Sequence, residues 1–377
     1  MRVVFDARHL QTVSRTRGIG RYSRNLLAAF ARRAPDDVAW TLLTLRNFAP
    51  ADPSSMPAHR TRATLRLRRP ELTMLAVDPV LLSVEIAGQG DLYHTVQLGL
   101  PAIRRVPAVL TIHDLAPLRW PSQYLRLPYA RVGHAWQYAL AKRADAIIAV
   151  SEATKADVVT RLGIPAERIR VIPEAVDAAF DPPSHADGAS IARARFGVAG
   201  RYVLYVGQFD PRKNMDGLFA AFSRGAERDR DLRLVIVGTL GKLAGLMRSA
   251  LARSRLDPAR VVVTGGVDDE TLAALYAGAE CLLHAAWLEG FGLTALEALA
   301  AGTPVVGYRA GAVAEVVGDA GLLVDEREPD ALGVALVTLL DDPSLLSDLR
   351  ARAKPRAARF SWDRAADDTL AVYRTLR

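Results

Sequence analysis

One cysteine in 377 residues, Cys281, excludes an internal disulfide framework. It stands in the apolar run Cys281-Leu282-Leu283, reads as a small buried hydrophobe, and fits a reducing compartment. No apolar stretch approaches the roughly 20 residues that a membrane span needs. The opening Arg2-Val3-Val4-Phe5 run is strand-like and lacks a signal-peptide pattern, so the expected location is cytoplasmic. Short repeats and low-complexity tracts are also missing. Half of the residues are apolar and 24% are charged, which excludes extended disorder and describes an ordinary folded chain.

What is present is length enough for two hydrophobic cores of about 150 to 200 residues each, and two cores imply a cleft. The net charge is +8. Composition of that kind is weak evidence for nucleic acid, and no nucleic-acid partner is expected. The densest basic stretch is Arg60, Arg62, Arg66, Arg68 and Arg69, followed by the apolar segment from Leu72 to Ile86. Two readings stay open for it: a solvated loop, or a peripheral contact with anionic membrane or a lipid pyrophosphate, made by Arg60 to Arg69 at the inner membrane face.

Short β-rich apolar runs alternate with longer segments of helical period, which predicts an α/β fold with mostly parallel sheets. In the first half, strands are expected at Val3 to Phe5, Thr41 to Leu45, Val109 to Ile112, Ala146 to Val150 and Arg170 to Ile172, with helices near Ile19 to Arg33, Tyr129 to Arg143 and Ala153 to Leu162. From Asp177 to Gly200 periodicity is lost and Pro, Asp and Gly collect, as in an interdomain linker. Alternation restarts at Tyr202 to Val206 and continues through Leu232 to Val237, Val261 to Val263, Cys281 to His284 and Pro304 to Gly307. The expected domains are residues 1–185 and 195–361, with a last helix over 362–377 crossing back onto the first. Ligands of open parallel sheets bind beyond the strands' carboxyl ends, so the chemistry is sought in the loop after each strand.

The most informative loop is Glu289-Gly290-Phe291-Gly292-Leu293-Thr294-Ala295-Leu296-Glu297, which opens a helix near Gly292. Glycines let a phosphate approach the backbone, and the helix start adds partial positive charge. This stretch closely resembles the donor-binding motif of glycosyltransferase family 4, whose members have the GT-B architecture of two facing Rossmann-like domains. The resemblance implies that Glu289 contacts the transferred sugar and Glu297 the ribose hydroxyls. Gly290 and the amides from Phe291 through Gly292 and Leu293 to Thr294 would meet the pyrophosphate.

A second turn, Gly207-Gln208-Phe209-Asp210-Pro211-Arg212-Lys213-Asn214, carries adjacent cations. A fixed cation stabilises a departing diphosphate more than the bound donor, so Lys213 is assigned to catalysis with Arg212 in support. The turn matches the family's, except that Gln208 stands where many members have Arg. In Thr111-Ile112-His113-Asp114, His113 resembles the family histidine that contacts the donor sugar, and Asp114 is assigned to the imidazole or the acceptor. Gly18 and Gly20 in Arg17-Gly18-Ile19-Gly20-Arg21-Tyr22 form a turn that fails as a dinucleotide fingerprint, because Ser23 holds the third glycine position. In the family such a turn nears the donor phosphates; a helix cap is the other reading. Weaker matches are Val150-Ser151-Glu152, and Pro173-Glu174-Ala175-Val176-Asp177, where Glu174 and Ala175 replace Asn-Gly. Gly265-Gly266-Val267 resembles the stretch where the family's backbone atoms meet the base.

The Asp229-Arg230-Asp231 triplet enters a strand from its amino end and reads as solvated charge, so no metal or other cofactor is expected. The resemblance thus implies transfer of a hexose, with retention of configuration, from a nucleotide diphosphate sugar to a glycan or lipid-linked acceptor. The resemblance favours GDP-mannose and cell-surface polysaccharide assembly. Alternatives are a non-hydrolysing nucleotide-sugar epimerase on the same architecture and a non-catalytic nucleotide-sugar binder.

Overall fold

A computed structural model describes residues 1–16, 18–46, 56–64, 77–177, 180–208, 210–238, 244–254, 256–325, 328 and 330–376. The chain divides into unit 1, Met1–Glu174 with Ser361–Arg377, and unit 2, Ala175–Phe360.

Unit 1 contains β1 (Arg2–Asp6), α1 (Gly18–Arg33), β2 (Ala39–Leu45), β3 (His59–Thr64), α2 (Asp78–Glu85), β4 (Leu92–Thr95), β5 (Ala108–Ile112), the single turns α3 (Ala116–Arg119) and α4 (Pro121–Tyr124), α5 (Pro128–Ala141), β6 (Ala146–Ala149), α6 (Glu152–Asp157) and β7 (Ile169–Val171). Its seven strands run parallel in the order β3-β2-β1-β4-β5-β6-β7. The order reverses beside β1, where doubly wound sheets place their ligands. Two strands escape a reading by apolar runs. The edge strand β3, His-Arg-Thr-Arg-Ala-Thr, pairs with β2 alone among the described residues and exposes Arg60 and Arg62. The strand β4, Leu-Tyr-His-Thr, is fully buried, yet half of it is polar. Arg66, Arg68, Arg69 and the start of the apolar segment lie outside the described residues.

Unit 2 contains α7 (His185–Phe196), β8 (Tyr202–Val206), α8 (Met215–Arg228), β9 (Arg233–Val237), α9 (Ala244–Ser254), β10 (Val261–Gly265), α10 (Asp269–Ala277), β11 (Cys281–His284), α11 (Leu293–Ala300), β12 (Val305–Tyr308), α12 (Val313–Val317), β13 (Gly321–Val324), α13 (Ala331–Asp341) and α14 (Pro343–Ala357). Its sheet is parallel in the order β10-β9-β8-β11-β12-β13. The last helix, α15 (Trp362–Arg374), belongs to unit 1 and packs on α1. There Trp362 meets Tyr22 edge-on, and Arg32 and Arg33 pair with Asp363 and Asp367.

The stretch expected as linker carries α7, capped by Ser184 on the Asp187 amide and closed by left-handed Gly197. It escapes detection because only Gly188 and Ala192 are buried, so no apolar stripe marks the helix. Small size is the contact: a Cβ at Gly188 would collide with the Ala274 carbonyl and the Gly278 amide. The helix expected through Leu162 is α6 continued by a wider π turn, Val158–Leu162, and ended by left-handed Gly163. Asp229 and Asp231 sit at the amino end of β9, where the Asp229 carboxylate accepts from the Asp231 amide.

Candidate active site

In unit 2, three loops meet at the carboxyl ends of β8, β11 and β12. After β8, Asp210 caps a single turn, Pro211–Lys213, and Asn214 adopts the left-handed conformation asparagine tolerates while capping α8. The Arg212 carbonyl accepts from the Trp287 amide at 2.7 Å, which ties this turn to the loop after β11. After β12, Gly311 (φ 57°) lies so close that a Cβ there would collide with the Glu289 carbonyl, and the Ala312 amide donates to that carbonyl at 3.0 Å. The Glu289 backbone is therefore fixed from both sides.

The Lys213 ammonium pairs with Glu289 Oε1, and His284 Nε2, from the last residue of β11, lies 3.3 Å from the same oxygen. Burial alone would raise the Glu289 carboxyl; Lys213, His284 and Arg212 together outweigh it and hold it far below the usual range. At neutral pH Glu289 is thus an anion that accepts hydrogen bonds and has no proton to give. Next to it, Gly292 (φ 101°) starts α11, whose first turn has no side-chain cap. Phe291 is buried edge-on against Phe360, while Leu293 and Thr294 are half-exposed. Gly290 is buried.

Glu297, in the second turn of α11, is only 1% exposed, and its Oε2 accepts from the Tyr276 hydroxyl at 2.8 Å. Val267 is half-buried in the loop before α10.

In unit 1, His113 follows β5. Its Nδ1 is 3.0 Å from Glu174 Oε1, its ring meets Tyr22 edge-on at 4.8 Å, and its carbonyl accepts from the Thr154 hydroxyl. Asp114 accepts from the Ala116 amide at 2.9 Å, which opens α3. Both residues line a cavity of about 730 Å³ walled mainly by apolar groups such as Ile112, Leu115, Leu127 and Tyr138. Gly18 has open space around it, whereas a Cβ at Gly20 would collide with the Ser14 and Arg15 carbonyls. Gly20 is therefore required for packing α1 on the preceding turn.

Behind His113 runs a buried polar chain: Tyr373 to His94 Nδ1 at 2.5 Å, His94 Nε2 to Thr111 at 2.9 Å, and Thr111 to Tyr22 at 3.4 Å.

The structure thus brings Arg212, Lys213, Glu289 and the α11 start together, and separately groups His113 with Asp114. Two partners have no place in a motif reading. His284 could have been flagged as the last residue of a strand preceding the richest loop. Glu174 shows in sequence only as the residue replacing Asn.

Two family models cover most of the chain: "Glycosyltransferase Family 4" over residues 16–180 and "Glycosyl transferases group 1" over residues 191–359. The chain is 30% identical over 290 residues to O-antigen chain mannosyltransferase B of Escherichia coli, covering 76% of this chain and 74% of that one. It is 32% identical to the MMP α-(1→4)-mannosyltransferase of Mycolicibacterium hassiacum (76% and 71% covered). It is also 32% identical to the D-inositol 3-phosphate glycosyltransferase of Salinispora arenicola (76% and 69%). Among solved structures, sucrose-phosphate synthase from Thermosynechococcus elongatus superposes with TM-score 0.76 at 23% identity, over 100% of this chain and 99% of that one. An Anabaena protein in complex with UDP and glucose superposes with TM-score 0.74 at 20% identity, with 100% of both chains covered. The fold is GT-B, and the chain belongs to glycosyltransferase family 4 as a hexosyltransferase.

Proposed function

We propose that the enzyme transfers a hexose, mannose from GDP-mannose in the first instance, to a glycan or lipid-linked acceptor in surface polysaccharide or glycolipid synthesis, with retention of configuration. The observation that carries this is the Lys213–Glu289 pair beside the uncapped start of α11. In this reading the diphosphate lies against Lys213, Arg212 and the amides from Phe291 to Thr294. Glu289, kept ionised, accepts hydroxyl hydrogen bonds of the transferred sugar, and Glu297 serves the ribose. Lys213 then shares its charge between Glu289 and the leaving group, whose negative charge grows as the glycosidic bond lengthens. The acceptor hydroxyl attacks the oxocarbenium-like carbon from the face the diphosphate leaves, and a departing phosphate oxygen takes its proton. These cations and amides offset the diphosphate charge without a metal. The mannosyltransferase names among the relatives favour mannose; the UDP-bound Anabaena structure keeps UDP-glucose as the competing donor.

A thermal-shift comparison of GDP-mannose with UDP-glucose tests the donor, since a ligand at one hundred times its Kd adds about 2.7 kcal/mol. Proton NMR of the product's anomeric signal tests retention. Stabilisation by UDP-glucose alone, or an inverted product, overturns the corresponding part.

Membrane delivery of the acceptor has its own support in unit 1. Between Asp114 and Asp145 there is no acidic residue, while Arg119, Arg126, Arg131, Lys142 and Arg143 are present. On and beside α5, Leu127, Val132 and Trp136 are 52%, 71% and 45% exposed. Among the described residues no helix is long and apolar enough to cross a bilayer. A peripheral contact with anionic lipid, at the cytoplasmic face, suits this pattern of apolar and basic groups. Vesicles of phosphatidylglycerol should sediment the protein, and the double change Val132→Ser with Trp136→Ala should weaken that binding about tenfold. Equal sedimentation with neutral vesicles, or no change in the variant, removes this contact from the proposal.

A further inference from the structure

Two contacts fix the His113 ring and a third its backbone, and one ring nitrogen is left over. Nδ1 faces Glu174 Oε1 at 3.0 Å, Tyr22 packs edge-on against the ring, and the Thr154 hydroxyl anchors the residue's carbonyl. Thr154 is itself placed by Ser151, whose hydroxyl caps its amide at 3.0 Å. His113 Nε2 is buried and has no hydrogen-bond partner among the described residues, although the side chain lines the cavity of unit 1.

A carboxylate offers only acceptors, so the hydrogen of a neutral imidazole facing Glu174 must sit on Nδ1. The lone pair is then on Nε2, an acceptor with nothing to accept from the described residues. A buried polar atom of this kind calls for a ligand group of the opposite sense. A sugar hydroxyl supplies it.

We propose that Glu174 is a positioning residue that holds His113 in the Nδ1–H tautomer, so that Nε2 accepts a hydrogen bond from a sugar hydroxyl during transfer. Asn, the residue family resemblance leads one to expect at this position, can turn either its oxygen or its amide nitrogen toward Nδ1 and so serves both tautomers. Glu174 serves one. The hydroxyl's origin in a sugar rests on the proposed function; the tautomer does not.

The tautomer is read by nitrogen-15 NMR of the full-length enzyme labelled at histidine, without substrate, with His113→Gln used to assign the signals. The expected spectrum has a protonated Nδ1 and a bare Nε2. Glu174→Gln, nearly isosteric, should mix the tautomers, and Glu174→Ala should move the hydrogen to Nε2. In steady-state transfer, Glu174→Ala should lower kcat about 10- to 100-fold with donor KM little changed, and Glu174→Asp should recover part of it. A wild-type spectrum with hydrogen on Nε2, or one unmoved by either substitution, overturns the proposal whatever reaction the enzyme performs. An unchanged kcat in Glu174→Ala overturns the hydroxyl contact, while loss of all sugar transfer by the wild type would fail the proposed function and leave the spectrum as the deciding result.

Discussion

The two units solve one electrostatic problem with the signs reversed. At the carboxyl end of the unit 1 sheet a carboxylate, Glu174, holds an imidazole, His113, whose Nε2 has no partner among the described residues. At the corresponding edge of unit 2 an ammonium, Lys213, and an imidazole, His284, hold a carboxylate, Glu289. Unit 1 also buries His94 and His9 in neutral hydrogen-bonded positions, beside a buried ion pair of Arg8 with Asp6, and unit 2 pairs Lys213 with Glu289. In the proposed function, charge belongs where the diphosphate is held and released, and the His113 ring serves hydroxyl recognition.

Removing the cation is the largest test of that contrast. Lys213→Ala should lower kcat/KM about 1000-fold, the upper range for loss of one transition-state donor, because it also leaves Glu289 buried without its nearest charge. His113→Gln, which removes a neutral contact, should cost about tenfold less. Steady-state transfer assays rank the two, and a larger loss from His113→Gln would break the assignment of charge stabilisation to unit 2.

Acid should separate the units next. Burial holds the imidazole of His94 down to about 3, helped by the neighbouring His113, and burial holds His9 down to about 4 despite the opposing pull of Asp6. The ordinary value is 6.5, so below it the unfolded chain binds protons that the folded chain refuses. Stability from these two rings is complete above pH 6.5 and is lost progressively toward pH 4 and 3, about 2 kcal/mol for each at pH 5. Glu289 is depressed from 4.5, so its contribution is intact at pH 5 and fails only below that value. Amide hydrogen exchange, corrected for intrinsic rates, should show protection of β4 and β5 falling between pH 7 and pH 5 while β8 and β11 hold. Equal losses would mean that the buried histidines of unit 1 do not set its acid sensitivity.

Much of this architecture is legible in residue order, and each exception has a physical cause. Strands such as Tyr202–Val206 and Cys281–His284 announce themselves because both faces are buried and the runs are apolar but for the terminal His284. The strand β4 does not, because its polar residues are buried with partners that no apolar pattern reveals: His94 binds Tyr373, 279 residues away, and the Thr95 hydroxyl donates to the Gln97 carbonyl. The helix α7 is hidden because glycine, not leucine, makes its contact. At the site, the turn bearing Lys213 and the loop bearing Glu289 are local sequence signatures. The pairings of Lys213 with Glu289 and of Glu174 with His113 join segments that only the sheet order brings together, so no spacing could reveal them.

The glycine turns at the two helix starts sharpen the comparison with smaller effects. Gly292 opens α11 at φ 101°, with its nearest neighbours at 3.9 Å or more from a Cβ, so the requirement there is conformational. Gly20 has no such angle, and its requirement is steric, against the Ser14 and Arg15 carbonyls. Gly20→Ala should therefore destabilise unit 1 by about 1 to 3 kcal/mol, the usual cost of overpacking. Gly18→Ala, in open space, should change stability by less than about 1 kcal/mol. If the turn also serves the donor phosphates, Gly18→Ala will weaken donor binding in calorimetric titration while melting stays the same. Unchanged donor affinity in Gly18→Ala would confine the role of this turn to helix packing and leave phosphate recognition to Lys213, Arg212 and the start of α11.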